Sequence, residues 1–185
     1  MSGHNKWTQI KRKKEVVDAK KSKLFSALTK NLQLEAKKAG GDRNSSGLKA
    51  AVDRARAANL PNENIERAIK AATDPAGAIL EAARYEAYGP EGVAMIIEAI
   101  TDNKNRTAQE IKHLLAEHGA IFAAPGAAVW AFKPSVGENG TWQPKLIRTV
   151  SDAARDAVSV LVAVLAAHAD VQTVSFDIDL PTQKR

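Results

Sequence analysis

The densest chemistry in this 185-residue chain lies near its start. Lys6, Lys11, Arg12, Lys13, Lys14, Lys20, Lys21 and Lys23 stand within residues 6–23, opposed only by Glu15 and Asp18. The resulting excess equals the formal net charge of the whole chain, +6, so the remaining residues sum to zero. Eight cations so close together suit a polyanion, and Trp7 among them offers a flat face on which a base can stack. The alternative is a solvated lysine-rich tail.

No other constellation points to catalysis. His4, His113, His118 and His168 form no metal-ligand pattern. Glu110-x-x-His113 has helical ligand spacing, but such a site needs matching donors from other helices. The chain has no cysteine, which excludes disulfides, thiolate metal sites and thiol nucleophiles. Phosphate-cradling glycine motifs and a serine in a nucleophile elbow are also missing. The expectation is therefore a protein that is not an enzyme, with no cofactor and no metal.

One loop stands out, residues 101–107 (TDNKNRT). It joins an apolar run to a helical one, where free backbone N–H groups favour anions. One reading makes Asn103, Lys104, Arg106 and Thr107 a second nucleic-acid contact. The other makes Asp102 and Asn103 a turn, Thr107 the helix cap with Glu110 closing a capping box, and Arg106 a solvated charge.

The elements that must position these groups differ between the two halves. Residues 1–75 hold 17 Lys+Arg and 8 Asp+Glu, whereas residues 76–185 hold 10 and 13. Two units with different roles follow: a basic arm plus helical domain over 1–75, and an α+β domain over 80–185. Leu24, Phe25, Leu28 and Leu32 form an apolar stripe at helical spacing on a helix expected over 17–39. Carried backwards, that stripe meets Lys14 and Lys21. Residues 6–23 therefore cannot extend the packing and must project as an arm or turn onto another surface. Gly40-Gly41 stops this helix. Ser46 is expected to cap a second helix with Leu48, Ala51, Val52 and Ala55 inward, ended by Asn59 and Pro61. Asn62 is expected to cap a third with Ile65, Ala68, Ile69 and Ala72 inward.

Residues 92–101 read as a central strand, followed by a helix ending at Gly119. Residues 121–122 and 128–132 form the next strand region, 137–140 a hairpin turn, and 142–150 a returning strand. Ser151 caps an apolar helix over 152–168, and 171–178 is a last strand. This β-α-β-β-α-β order predicts a ferredoxin-like antiparallel layer with both helices on one face. Residues 80–88 read as an extra strand. Aromatic content of 5% argues against a base-stacking sheet. No apolar run reaches membrane-spanning length, and the basic start lacks the apolar core of a secretory signal. A cytoplasmic location without a membrane partner follows, with a monomer favoured.

Several blocks carry a resemblance. The opening SGHNKWTQIKRKK, the block NLPNENIERAIK at 59–70, YEAYGPEGV at 85–93, TDNKNRT at 101–107 and DVQTVSFDI at 170–178 are similar to signatures of the YebC family. That resemblance implies a non-enzymatic regulator of gene expression. Its members are described either as DNA-binding transcription regulators or, like the mitochondrial translational activator of cytochrome oxidase subunit I, as acting at the ribosome. His4, Lys6, Trp7 and the basic run would then contact nucleic acid, either DNA or ribosomal RNA. Lysines supply point charges and few bidentate base contacts, which favours structured RNA. An interaction adaptor whose basic arm only steers encounter is the alternative. The chain departs from the family where residues 133–144 join the two halves of the layer directly; longer members insert a third domain there.

Overall fold

The computed structural model describes the backbone of residues 3–74, 77, 79–135 and 141–180, with side chains from residue 17 onward. The chain divides into two compact units, Met1–Gly77 and Ala78–Arg185.

The first unit is three helices: α1 (Gly3–Lys38), α2 (Ser46–Ala57) and α3 (Asn62–Thr73). α1 begins well before residue 17, the start expected from the sequence. No proline or glycine interrupts residues 4–38, and lysine, arginine, alanine and leucine are all strong helix formers. The helix thus outruns its own core. Leu32, Ala36, Leu48, Ala51, Ala55, Ile65, Ala68 and Ile69 form that core, with Phe25, Leu28, Val52 and Ala72 half-buried against it. Leu24 drops out of the expected stripe and is 48% exposed, because it sits roughly a quarter-turn off the line of Phe25, Leu28 and Leu32.

Helix ends follow local chemistry. Gly40 takes φ +57° and its N–H donates to the Lys37 carbonyl, while Gly41 N–H reaches back to Ala36. Asn59 does the same after α2, with φ +60° and a bond from Leu60 N–H to Ala55. The expected N-caps shift by one residue: Ser45 precedes α2 and Pro61 precedes α3, neither with a side-chain cap bond.

The second unit holds β1 (Glu81–Tyr88), β2 (Ala94–Thr101), α4 (Lys104–Glu117), β3 (Ile121–Ala123), β4 (Phe132–Pro134), β5 (Trp142–Pro144), α5 (Asp152–Ala167) and β6 (Val171–Phe176). Helices followed by an antiparallel sheet with helices give the expected α+β class. The sheet order is β3-β1-β2-β6, antiparallel throughout. α4 and α5 cover one face through Ile111, Leu115, Val158, Leu161 and Leu165, packed on Tyr85, Ala87, Met95 and Ile97.

The internal order of the ferredoxin-like layer is corrected. Residues 80–88, read as an extra strand, form β1 inside the sheet beside β2, and the returning strand expected over 142–150 is not part of that sheet. β1 pairs with β2 over its whole length because the tight turn at Pro90–Gly92 makes them a hairpin. Residues 142–150 yield only the short β5, paired with β4 in a separate two-stranded sheet. Pro144 has no N–H with which to continue a ladder.

That small hairpin and the 3-10 turn at Val129–Ala131 cover the other sheet face, packing Ala128, Ala131 and Phe132 on Ala94 and Ile96. Glu86 fastens them. Its carboxylate, 3% exposed, accepts the backbone N–H groups of Gly126 (2.8 Å), Ala128 (2.7 Å) and Val129 (2.9 Å). Burial resists ionisation of Glu86, but the three amides outweigh it and hold the carboxyl below its ordinary 4.5. Among the described residues, no helix is long and apolar enough to cross a membrane.

A depressed folded-state value means that the ionised carboxylate stabilises the fold above pH 4.5, and that this stabilisation is lost as the pH falls through the lower folded value. Glu86→Gln turns one acceptor into a donor facing backbone donors. It should cost about 1–3 kcal/mol at pH 7, read by thermal unfolding, and the gap to the parent should close in acid. A gap that stays constant from pH 7 into that acid range would show that the charge is not what holds the segment.

Candidate nucleic-acid interface

The basic run of residues 6–23 lies on α1, N-terminal to its first core residue among the described side chains, Phe25. Val17 to Ser22 are all exposed, Lys20 and Lys21 included. Lys21 Nζ lies 5.3 Å from the centre of the Phe25 ring, a cation–π contact that leaves the ammonium in water. Lys23 is half-buried and has a partner of its own. His4, Lys6, Trp7, Lys11, Arg12, Lys13 and Lys14 share the helical backbone, but their side chains lie outside the described residues. The structure thus brings Lys20 and Lys21 onto one solvated helical surface.

The loop after β2 is built differently from either sequence reading. Asn103, not Thr107, caps α4: its side-chain oxygen accepts the Arg106 N–H at 3.0 Å. Thr107 is fully buried, so no face of it remains for a ligand. Its hydroxyl lies 2.7 Å from Asp170 Oδ2 and 2.8 Å from Thr101 Oγ1. A hydroxyl has one proton, and the carboxylate is the stronger acceptor, so Thr107 donates to Asp170 and accepts from Thr101.

Arg106 is half-exposed yet tied down. Its Nη2 donates to Asp102 and Asp170, both at 2.9 Å, and its Nε lies 3.7 Å from Glu110. Bonding to Asp170 raises the guanidinium's pKa further. Lys104 pairs with Glu81 at 2.7 Å. The loop's two cations are thus matched by carboxylates of the same unit. Asn103 and Lys104 stay exposed.

His168 and Asp170, between α5 and β6, complete this cluster. Their meeting with Arg106 and Thr107 is not legible in the sequence, because nothing near residue 106 points to a partner more than 60 residues away. Together with Arg106, Glu110, His113 and Leu114 they line an open groove of about 630 Å³. Donor atoms of Glu110, His168 and Asp170 lie within 4.8 Å of one another, close enough for a metal. The hydrogen bonds argue otherwise. Asp170 N–H donates to His168 Nδ1 at 3.1 Å, which places the ring proton on Nε2, and Nε2 faces Glu110 Oε2 at 2.9 Å. Metal binding would need that same nitrogen bare. The Arg106 guanidinium beside Asp170 also repels a second cation. The donor set fits an ion-pair network that locks the α4 start to the strand β6.

Residues 5–75 match the family model described as the TACO1/YebC protein N-terminal domain, and residues 80–136 match the TACO1/YebC second and third domain. A probable transcriptional regulatory protein of Thermoanaerobacter pseudethanolicus is 54% identical over 134 residues, 71% of this chain and 54% of that protein. One from Thermotoga maritima is 50% identical over 135 residues, 72% of this chain and 53% of that protein. The chain spans about half the length of the curated relatives it matches. A crystal structure of a conserved hypothetical protein from Aquifex aeolicus superposes with a TM-score of 0.80 at 26% identity, covering 91% of this chain and 95% of that one.

Thr107→Val keeps the shape and removes the hydroxyl, leaving Asp170 a donor short. Thermal unfolding should report a loss of about 1–3 kcal/mol, with nucleic-acid affinity unchanged. An unaltered melting temperature would remove Thr107 from the network; altered affinity at full stability would return the loop to the interface.

Proposed function

Because the chain belongs to the TACO1/YebC family, we propose that it is a nucleic-acid-binding regulator of gene expression that works without catalysis, in the cytoplasm. One observation carries the reading. An excess equal to the chain's whole net charge sits within residues 6–23 of α1, and Lys20 and Lys21 there face water. A rigid rod of ammonium groups is suited to lie along a sugar–phosphate backbone and exchange its counterions for contacts.

The chemistry of the rod favours RNA, including the ribosome's, over a short DNA operator. Lysine is a point charge that reads shape and charge density more than base identity. Relatives named as probable transcriptional regulators favour DNA as the partner. In the second unit, the ionisable clusters described above are spent on one another, which supports a role without turnover. Its acidic balance also leaves room for an adaptor, in which a protein partner binds there and α1 only steers approach.

Replacing the eight cations of residues 6–23 by glutamine tests the reading in the full chain. Affinity for a labelled structured RNA and for a DNA duplex is measured by anisotropy across a salt series. With about four phosphates engaged, log affinity should fall with log salt at a slope of roughly −3 to −4, and the substitution should abolish that slope. Lys20→Gln with Lys21→Gln alone should flatten it by about 1.5. Unchanged association after the full replacement would overturn the reading. Retention of a protein partner alone would favour the adaptor. RNA and DNA crosslinked in cells and sequenced identify the target; promoter DNA without ribosomal RNA would defeat the preference for RNA.

A further inference from the structure

The 3-10 turn at Val129–Ala131 carries an indole that the fold does not use for packing. Trp130 is 64% exposed, although its neighbour Ala131 is buried and Val129 is half-buried, both in the cluster on the sheet. The backbone beneath it is clamped, since Glu86 accepts the Val129 N–H. The ring itself is aimed: Trp130 Nε1 donates to the Tyr88 hydroxyl at 3.2 Å, and that hydroxyl donates to the Ala127 carbonyl. The indole's one polar group is therefore satisfied within the unit, while most of its surface stays in water.

Lys145 is bonded to the turn that carries it, and Lys133 lies three positions along the chain. Lys145 N–H donates to the Ala131 carbonyl at 2.8 Å, and its ammonium donates to the Trp130 carbonyl at 2.8 Å, leaving two of three donors available. Lys133 follows the buried Phe132 on β4 and is exposed. Residues 124–150 carry Lys133, Lys145 and Arg148 against Glu138, a basic island in an otherwise acidic half of the chain. Leu146 and Ile147, 75% and 53% exposed, extend the apolar surface beside Lys145.

An exposed aromatic ring with one ammonium bonded to its own backbone carbonyl and an exposed lysine three residues on is poorly matched to an apolar protein partner, which would have to desolvate both lysines. It matches a nucleotide, whose base offers a π-face and whose backbone offers anions. We infer that Trp130, with Lys133 and Lys145, is a second nucleic-acid contact, on which one unpaired RNA base stacks while the two lysines pair with flanking phosphates. This rests on the nucleic-acid reading above and adds to it a site in the second unit, chosen for single strands because a duplex base is already stacked.

The full chain is titrated by anisotropy with a labelled single-stranded oligouridylate and with an RNA duplex of the same length. Trp130→Ala should weaken single-strand binding at least fivefold and leave duplex binding unchanged, and Trp130→Phe should restore most of the loss. Lys133→Gln with Lys145→Gln should flatten the single-strand salt slope by about 1.4. If Trp130→Ala proves unstable, Trp130→Phe and the lysine pair still decide. Equal loss on both probes, no rescue by Phe, or an unchanged salt slope would each overturn the inference. Wild-type binding that is abolished by the α1 glutamine replacement and indifferent to Trp130 would sink this site and leave the α1 reading standing. Wild-type protein that binds neither probe would sink both.

Discussion

A charged group gives up its hydration only where another group replaces it, and that constraint arranges both units of this protein. In residues 6–23 of α1 only Glu15 and Asp18 stand among eight cations, and the helix is split by environment rather than by sequence breaks. From Phe25 onward one face is apolar and is covered by α2 and α3. Ahead of Phe25 the described side chains other than that of Lys23 are exposed, although the backbone is the same unbroken helix. Helix formation here is governed by propensity, whereas burial is governed by charge.

The second unit meets the same constraint with buried carboxylates. Glu86, Asp170 and Asp177 are each at most 5% exposed, and each is supplied with donors. Glu86 takes three backbone amides, Asp170 takes Arg106 and Thr107, and Asp177 takes the Ala94 N–H. Burial raises the Asp177 pKa, against the pull of that amide and of Arg148. Among the described residues no buried side-chain polar atom lacks a partner. These acids act as fasteners: Glu86 holds the hairpin segment to the sheet, and Asp170 holds the start of α4 to the strand after α5. The segment held by Glu86 is the one that presents Trp130, so an acid in the sheet positions an aromatic ring on the surface.

The loop at 101–107 illustrates where local reasoning ran short. A threonine three residues before a glutamate and at the head of a helical run looks like a cap. The helix instead opens earlier, at Lys104, because Asn103 offers its amide oxygen first. Thr107 then falls on the inward face, where Asp170 awaits it across 63 positions of chain. The rearranged sheet has a similar origin. Residues 80–88 are alanine-rich and look like a weak strand, yet small side chains are what a strand beneath two close helices requires; Ala87 is fully buried there.

Residues whose partners lie within a turn or two were legible from sequence alone. The α2 and α3 core faces, the helix ends at Gly40, Asn59 and Gly119, and the Ser151 cap all depend on neighbours a few positions away. The uneven division of charge was equally plain, because it is a sum. Tertiary structure alone decided which strand sits at the sheet centre, which carboxylate receives Arg106 and Thr107, and that Trp130 is left facing water. Each of those depends on groups brought together by the fold from distant parts of the chain, and local periodicity carries no record of such a meeting.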